Sequence, residues 1–129
     1  MNYLTPEQVL FIHARIIEET GGSHGIRDLS LLLSAVGTPQ ATFDGSDLYG
    51  DDFSKASALL DSLIRNYPFL DGNKRTGITA AAIFLIRNGW RLAASNEDLE
   101  KFTLAIAQSR LSLEEMSNWL AGNSEAVKV

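Results

Sequence analysis

The stretch at residues 78–86 constrains the fold most, because it is apolar on every side of a helical wheel. It reads Ile-Thr-Ala-Ala-Ala-Ile-Phe-Leu-Ile. This composition is typical of a helix that is buried on all sides rather than on one face. Gly89 follows it in the position that a left-handed C-terminal cap prefers. We therefore predict a central helix at residues 73–88, with the remaining elements packed around it.

Local start and stop signals predict the other helices, beginning with a capping box that has proline at the first helical position. We expect these helices to run from Thr5 to Gly21, from about Asp28 to Val36, from about Asp51 to Arg65, from Ser95 onwards, and from Ser112 to Gly122. Regular alternation of period two is almost absent. The predicted fold class is all-α, with about six helices around a buried central helix.

The composition indicates one domain, which we place at residues 1–123, followed by a flexible tail at residues 124–129. The chain has 129 residues, of which 45% are hydrophobic. The lack of cysteine excludes disulfides and thiolate metal sites, and two separated histidines argue against zinc. Without an apolar span or signal peptide, we expect a cytoplasmic protein with no membrane partner. A net charge of −5 argues against nucleic acid as the main ligand.

The residues at the start of the central helix suit an anionic ligand. The first turn of a helix leaves N–H groups unpaired and concentrates partial positive charge. Gly72 allows close approach of a ligand, Asn73 offers an amide donor, and Lys74 and Arg75 supply charges that suit phosphate oxygens. Asp71 fits beside phosphate if Mg²⁺ lies between them, since magnesium binds a carboxylate or two plus phosphates and water.

A simpler interpretation of the same residues is a turn with no ligand. Asp-Gly-Asn is a common turn sequence, and Lys74 and Arg75 could form an ordinary solvated face. However, two cations at a helix N-terminus are electrostatically unfavourable unless an anion compensates them. This point favours the phosphate site over the simple turn.

The segment from Tyr67 to Thr76 resembles the motif His-Pro-Phe-x-Asp-Gly-Asn-Lys-Arg-Thr of Fic/Doc (Fido) domains, and nine of the ten positions fit. The resemblance extends through Gly25-Ile26-Arg27-Asp28 and through Lys55, and it is closest to the death-on-curing toxins of toxin–antitoxin modules. Fic adenylyltransferases usually have Gly at the position of Lys74 and Arg at that of Ile78. Both differences indicate the Doc branch.

The resemblance implies an activity and a role for each motif residue. It implies Mg²⁺–ATP-dependent transfer of the terminal phosphate to a threonine of elongation factor Tu, which stops translation. The motif histidine would be the general base, Asp71 the metal ligand, and residues 72–75 the phosphate-binding turn. Lys74 and Arg75 would also stabilise charge during transfer, and Phe69 would anchor the loop.

Tyr67 stands where the family has its histidine, and a phenol is a poor base near neutral pH. Loss of general-base help typically costs roughly 10²–10⁴ in rate. Three explanations stay open: a natural variant with other chemistry, a natural variant that only binds nucleotide or antitoxin, or an engineered replacement. Nucleotidyl (AMP) transfer is a further alternative to phosphate transfer. Tyr67 could also be a buried aromatic residue that packs under the loop.

The remaining sequence expectations concern a flap, a partner and four polar residues. The resemblance implies that Ala41, Thr42 and Phe43 form the edge of a flap, in some members a small hairpin, that holds the target peptide. The chain lacks the Glu-Gly or Glu-Asn of self-inhibited Fic proteins, so we expect a small antitoxin encoded nearby. His13 is interpreted as a satisfied core histidine, with rescue of the missing motif base as the alternative. His24 is interpreted as an exposed histidine, and Arg27 and Asp28 as a local pair or helix cap.

Overall fold

The computed structural model describes residues 1–127 and is mostly helical, as predicted. Its helices are α1 (Pro6–Thr20), α2 (Leu29–Gly37), α3 (Asp52–Arg65), α4 (Asn73–Arg87), α5 (Asn96–Ala107) and α6 (Leu113–Gly122), with a short 3₁₀ helix at Thr38–Gln40. Four short strands are β1 (Thr42–Phe43), β2 (Ser46–Asp47), β3 (Trp90–Leu92) and β4 (Ser124–Ala126). No helix within these residues is both long and apolar enough to cross a membrane.

Side-chain caps explain where the helices begin. An oxygen of the N-cap side chain accepts the N–H three residues further on at five of the six α-helices in the described chain. These caps are Thr5, Asp28, Asp51, Ser95 and Ser112. The predicted starts are confirmed because each depends on a hydrogen bond inside one turn. α4 is the exception, since it begins at Gly72 without a side-chain cap.

The pair α3 and α4 forms the centre of the core, and α1, α5 and β3 also pack against α4. Gly77 permits the close approach of the two central helices. A Cβ atom at this position would lie 2.9 Å from Cγ1 of Ile64 and 3.4 Å from Cδ1 of Leu60. The site described below is therefore attached to a helix of the central pair.

The prediction that the central helix is buried on all sides was wrong for one face. Ala80, Ala81, Phe84 and Leu85 are buried, but Ile86 is 41% exposed. Elements of the described chain cover α4 from several sides, yet a groove between β3 and α5, which Ile86 lines, leaves the remaining face partly open. A helical wheel that is apolar on all sides predicts a helix with little contact with water. It does not show whether other elements of the same chain cover every face of that helix.

The prediction of a flexible tail was wrong for Ser124–Ala126, which form β4. This strand pairs antiparallel with β3, and Trp90 lies opposite Ala126. The Val127 N–H donates to the Gly89 carbonyl at 2.9 Å and extends the pairing by one residue. The last two residues of the predicted tail, 128–129, lie outside the described residues.

The segment expected to form a flap contains a hairpin made of β1 and β2. Phe43 lies opposite Ser46, and Asp44 and Gly45 form the turn with φ values of 53° and 80°. Two successive residues with positive φ are typical of a hairpin turn that matches the twist of its strands. The hairpin is present, while its role in holding a target stays a prediction.

Candidate functional site

The loop before α4 is held by a segment 40 residues earlier in the chain. The N–H groups of Arg27 and Asp28 both donate to the Pro68 carbonyl, at 2.8 and 3.1 Å. The Leu70 N–H donates to the Gly25 carbonyl at 3.2 Å. These backbone hydrogen bonds, together with a bridge between residues 26 and 69, fix the loop against the body of the protein.

Arg27 and Asp28 have separate structural roles. Asp28 caps α2, as predicted, and hydrogen bonds from Ser30 Oγ and the Leu31 N–H hold the pKa of its carboxyl below the ordinary value. The Arg27 guanidinium instead donates to the main-chain carbonyls of Asn66 and Tyr67. Sequence reasoning missed this contact with the loop, because backbone acceptors leave no mark in the residue pattern.

His13 and Phe69 form the buried base of the loop. Phe69 is 1% exposed and stacks on the His13 ring, with 3.8 Å between the ring centroids. His13 Nε2 lies 2.8 Å from the Asp71 carbonyl oxygen. A carbonyl only accepts hydrogen bonds, so Nε2 carries the proton and cannot serve as a base. The interpretation of His13 as a satisfied core histidine is confirmed, and His24 is exposed as predicted.

Asp71 is exposed, and backbone donors orient its carboxylate. Oδ2 accepts the Ser23 N–H at 3.2 Å, and Oδ1 accepts the Gly72 N–H at 3.0 Å. Gly22 makes this arrangement possible, because a Cβ there would lie 2.7 Å from Oδ2. A carboxylate has about four lone-pair sites, so Asp71 retains capacity for a cation. Residues 1–127 contain no group of three or more metal-binding side chains. Magnesium does not require such a group, because phosphates and water can complete its coordination.

Gly72 and Asn73 form the entry of α4. Gly72 has φ 77°, and a Cβ there would lie 3.1 Å from Ile17 Cδ1. Asn73 Nδ2 donates to the Phe69 carbonyl and its Oδ1 accepts the Phe69 N–H, both at 3.0 Å. The Asn73 side chain therefore closes the loop and uses one of its two amide hydrogens there. Its second amide hydrogen and its backbone N–H are the groups available to an anion.

Lys74 and Arg75 present their cationic side chains at the start of α4. Both are exposed, and neither forms an ion pair with a carboxylate of residues 1–127. They line one end of a groove of about 440 Å³ between α1, α4 and α5. The two cations thus lie at a helix N-terminus whose N-cap, Gly72, carries no charge, although Glu19 and Glu100 line other parts of the same groove.

The interpretation of Tyr67 as a buried aromatic residue was wrong, because its side chain is 51% exposed. Its φ of 47° lies in the left-handed region, which is uncommon for a bulky residue. The side chain points outward, while its carbonyl accepts a hydrogen bond from Arg27. An outward side chain in a strained backbone conformation is typical of a functional position.

The combination of this loop, the glycine turn and the cationic helix start defines a known class of protein. The model of the Fic/DOC family matches residues 3–85, which is more than half of the chain. The chain belongs to this family.

Two curated relatives are similar over nearly their whole length. The chain is 42% identical over 110 residues to "Toxin Doc" of Mycolicibacterium smegmatis, covering 84% of this chain and 85% of the relative. It is 29% identical over 120 residues to "Protein kinase doc" of Escherichia phage P1, covering 93% and 94%.

Proposed function

We propose that this protein is a Doc-type toxin of a toxin–antitoxin system. Its site would bind Mg²⁺–ATP and transfer the terminal phosphate to a Ser or Thr hydroxyl of a protein target, such as elongation factor Tu, in the cytoplasm. The names of the two relatives support toxin and kinase activity. The observation that carries the proposal is the uncapped first turn of α4, flanked by Lys74 and Arg75.

The uncapped turn favours a phosphate ligand for two reasons. The other five α-helices of the described chain satisfy their first turn with their own side chains, whereas α4 leaves this position to Gly72. Two exposed cations then add repulsion at the positive end of the helix dipole. A phosphate group would accept the free N–H groups and compensate both charges.

The residues present also fit magnesium. Asp71 has a carboxylate that backbone N–H groups orient and that retains free lone pairs. It would hold Mg²⁺ together with the phosphates of ATP, and the bound metal would neutralise charge on the phosphate that is transferred. Lys74 and Arg75 would stabilise charge on the phosphate oxygens, and the backbone N–H groups of α4 would fix their position.

A second candidate function is binding without transfer, and the surroundings of Tyr67 favour it. His13 cannot replace the motif histidine, because its Nε2–H donates to Asp71 and its ring is buried under Phe69. A protein with this sequence would then bind nucleotide or antitoxin but transfer phosphate slowly. AMP transfer is a third candidate, which the position of the radioactive label distinguishes.

Calorimetry with Mg²⁺–ATP tests the site directly. We expect Asp71→Asn and Arg75→Ala each to weaken binding roughly tenfold, because each removes a charged contact. Arg110→Ala is the matched control, since Arg110 is also an exposed arginine and lies outside the loop and α4. Absence of binding at millimolar ATP, or equal weakening by the control, would contradict the proposed site.

Incubation with elongation factor Tu and labelled ATP tests the reaction. Transfer of label from γ-labelled but not α-labelled ATP supports the kinase, and the reverse supports AMP transfer. Binding without either label on protein supports the module that only binds.

The partner that restrains the toxin would be a small antitoxin. The open face of α4 offers it an apolar surface in the groove between β3 and α5, where Ile78 and Leu99 contribute to the lining. An amphipathic helix suits a groove of this kind. The flap residues Ala41, Thr42 and Phe43 remain proposed for the protein target, and their exposed strand leaves room for an added chain.

A further inference from the structure

Arg27 is an exposed arginine that binds main-chain carbonyls instead of a carboxylate. Its Nε and Nη2 groups donate to the successive carbonyls of Tyr67 and Asn66. The backbone N–H of the same residue donates to the Pro68 carbonyl at 2.8 Å. One residue therefore contacts the main chain at three consecutive positions of the loop.

The two carbonyls lie where α3 ends and the loop turns. Asn66 is the C-cap of α3, and the next residue, Tyr67, has φ 47°. The last carbonyls of a helix lack partners within it and carry partial negative charge, so a guanidinium is well suited to them. A left-handed conformation at a bulky residue persists only where its surroundings impose it. Arg27 is the cationic group that contacts the main chain at this turn.

The conformation of residue 67 determines where its side chain points. The direction of the Cα–Cβ bond follows from φ and ψ, so a change to an ordinary negative φ would turn this side chain away from its outward position. We propose that Arg27 is a positioning residue, which holds residue 67 in the orientation that the transfer reaction requires. This inference rests on the proposed function, because residue 67 occupies the position of the general base in that reaction.

Lysine cannot replace arginine in this role. The two donors of Arg27 belong to one planar group, whose spacing matches two adjacent carbonyls, whereas an ammonium is a single point charge on a flexible stem. Arg27→Lys therefore keeps the charge but loses the paired contact. Arg27→Met keeps much of the length of the side chain but loses both the charge and the paired contact.

The first measurement reads the backbone and requires no activity. The Cα chemical shift of Tyr67 in NMR spectra reports φ, and we expect it to move toward ordinary values in Arg27→Lys and further in Arg27→Met. Arg110→Lys is the matched control and should leave the shift unchanged. An unchanged shift in both Arg27 variants would overturn the inference.

The second measurement separates positioning from general damage, and it uses Tyr67→His as the parent. We expect Arg27→Lys to reduce kcat by roughly tenfold to a hundredfold, as small misplacements of catalytic groups do. KM for ATP and the melting temperature should stay unchanged. A parallel loss of kcat, ATP affinity and melting temperature would show a merely structural role and overturn the inference. If the parent transfers no phosphate, the proposed function fails, while the chemical shift still decides the role of Arg27.

Discussion

At the scale of single residues, we expect Tyr67 to limit the rate of the proposed transfer. We expect Tyr67→His to fold normally, because histidine tolerates the left-handed region better than most residues. The imidazole would supply the missing base and raise the rate of transfer by roughly 10²–10⁴. The initial rate of label transfer from γ-labelled ATP measures this effect.

The control for this prediction is Tyr67→Phe, which keeps the ring and removes the hydroxyl. If the tyrosine only fills space, the phenylalanine variant should transfer at the rate of the parent. A large loss in Tyr67→Phe, without a gain in Tyr67→His, would indicate that the phenol itself takes part and would contradict our view of residue 67.

Asp61 is a residue whose charge the fold disfavours. Burial raises the pKa of its carboxyl above the ordinary 3.8 despite the nearby Arg65, and Oδ1 is buried without a hydrogen bond from residues 1–127. Because the folded pKa exceeds the unfolded one, the ionised form destabilises the fold at neutral pH. This destabilisation disappears as pH falls through the folded pKa toward 3.8.

We therefore expect Asp61→Asn to raise the free energy of unfolding by roughly 1 kcal/mol at pH 7. The advantage over the parent should shrink as pH decreases, and urea unfolding at several pH values measures it. Asp44→Asn changes an exposed carboxylate and should show no such trend. If the stability advantage of Asp61→Asn grew as pH decreased, the result would contradict a raised pKa for Asp61.

At the scale of elements, the β1–β2 hairpin depends on a buried lysine. Lys55 is 1% exposed, and its Nζ donates to Asp47 Oδ2 at 3.1 Å and to the Pro39 carbonyl at 3.3 Å. Burial alone would lower the pKa of Lys55, but its contacts with Asp47 and Tyr3 outweigh burial and raise it. All four strand residues of the hairpin are exposed, so apolar packing contributes little to its position.

Removal of the carboxylate should loosen the hairpin without unfolding the protein. In Asp47→Asn we expect hydrogen exchange of the Leu48 N–H, which donates to Ala41 at 2.8 Å, to accelerate roughly tenfold. Asp44→Asn is the matched control, because Asp44 lies in the same hairpin and is exposed. Equal acceleration in both variants, or acceleration throughout the core, would contradict this account.

The contact between α3 and α4 is a second element whose tolerance can be measured. Gly77→Ala gains about 1 kcal/mol of helix propensity, but its Cβ would lie 2.9 Å from Ile64 Cγ1. Overpacking in a core typically costs about 1–3 kcal/mol, so we expect net destabilisation in thermal unfolding. Gly122→Ala lies at the end of α6 in open space and should be neutral or stabilising. Stabilisation by Gly77→Ala would show that the two helices can separate at little cost.

The success of sequence reasoning depended on how local each determinant was. The helix starts were predicted correctly because a cap such as Ser112 acts within one turn. Strand β4 was missed because it has three residues and pairs with β3, some 34 positions away by register. At the site, the motif residues were identified by resemblance, whereas the contacts of Ser23 and Arg27 with the loop were missed, since they involve backbone groups of distant residues.

At the scale of the whole molecule, the proposed toxicity can be tested in cells. Expression of Tyr67→His alone should arrest growth, because the restored base would permit rapid modification of the target. The double variant Tyr67→His with Arg75→Ala should grow normally, since it lacks part of the phosphate site. Normal growth with Tyr67→His, at equal protein levels, would argue against a toxin.

The contacts that hold the loop also have a consequence for the order of folding. His13, Ser23 and Arg27 reach the loop across 58, 48 and 40 positions of the chain. Contacts between residues so far apart in the chain require the closure of long loops, so they form more slowly than the helices do. The protein would therefore form most of its helices before the proposed nucleotide site was assembled.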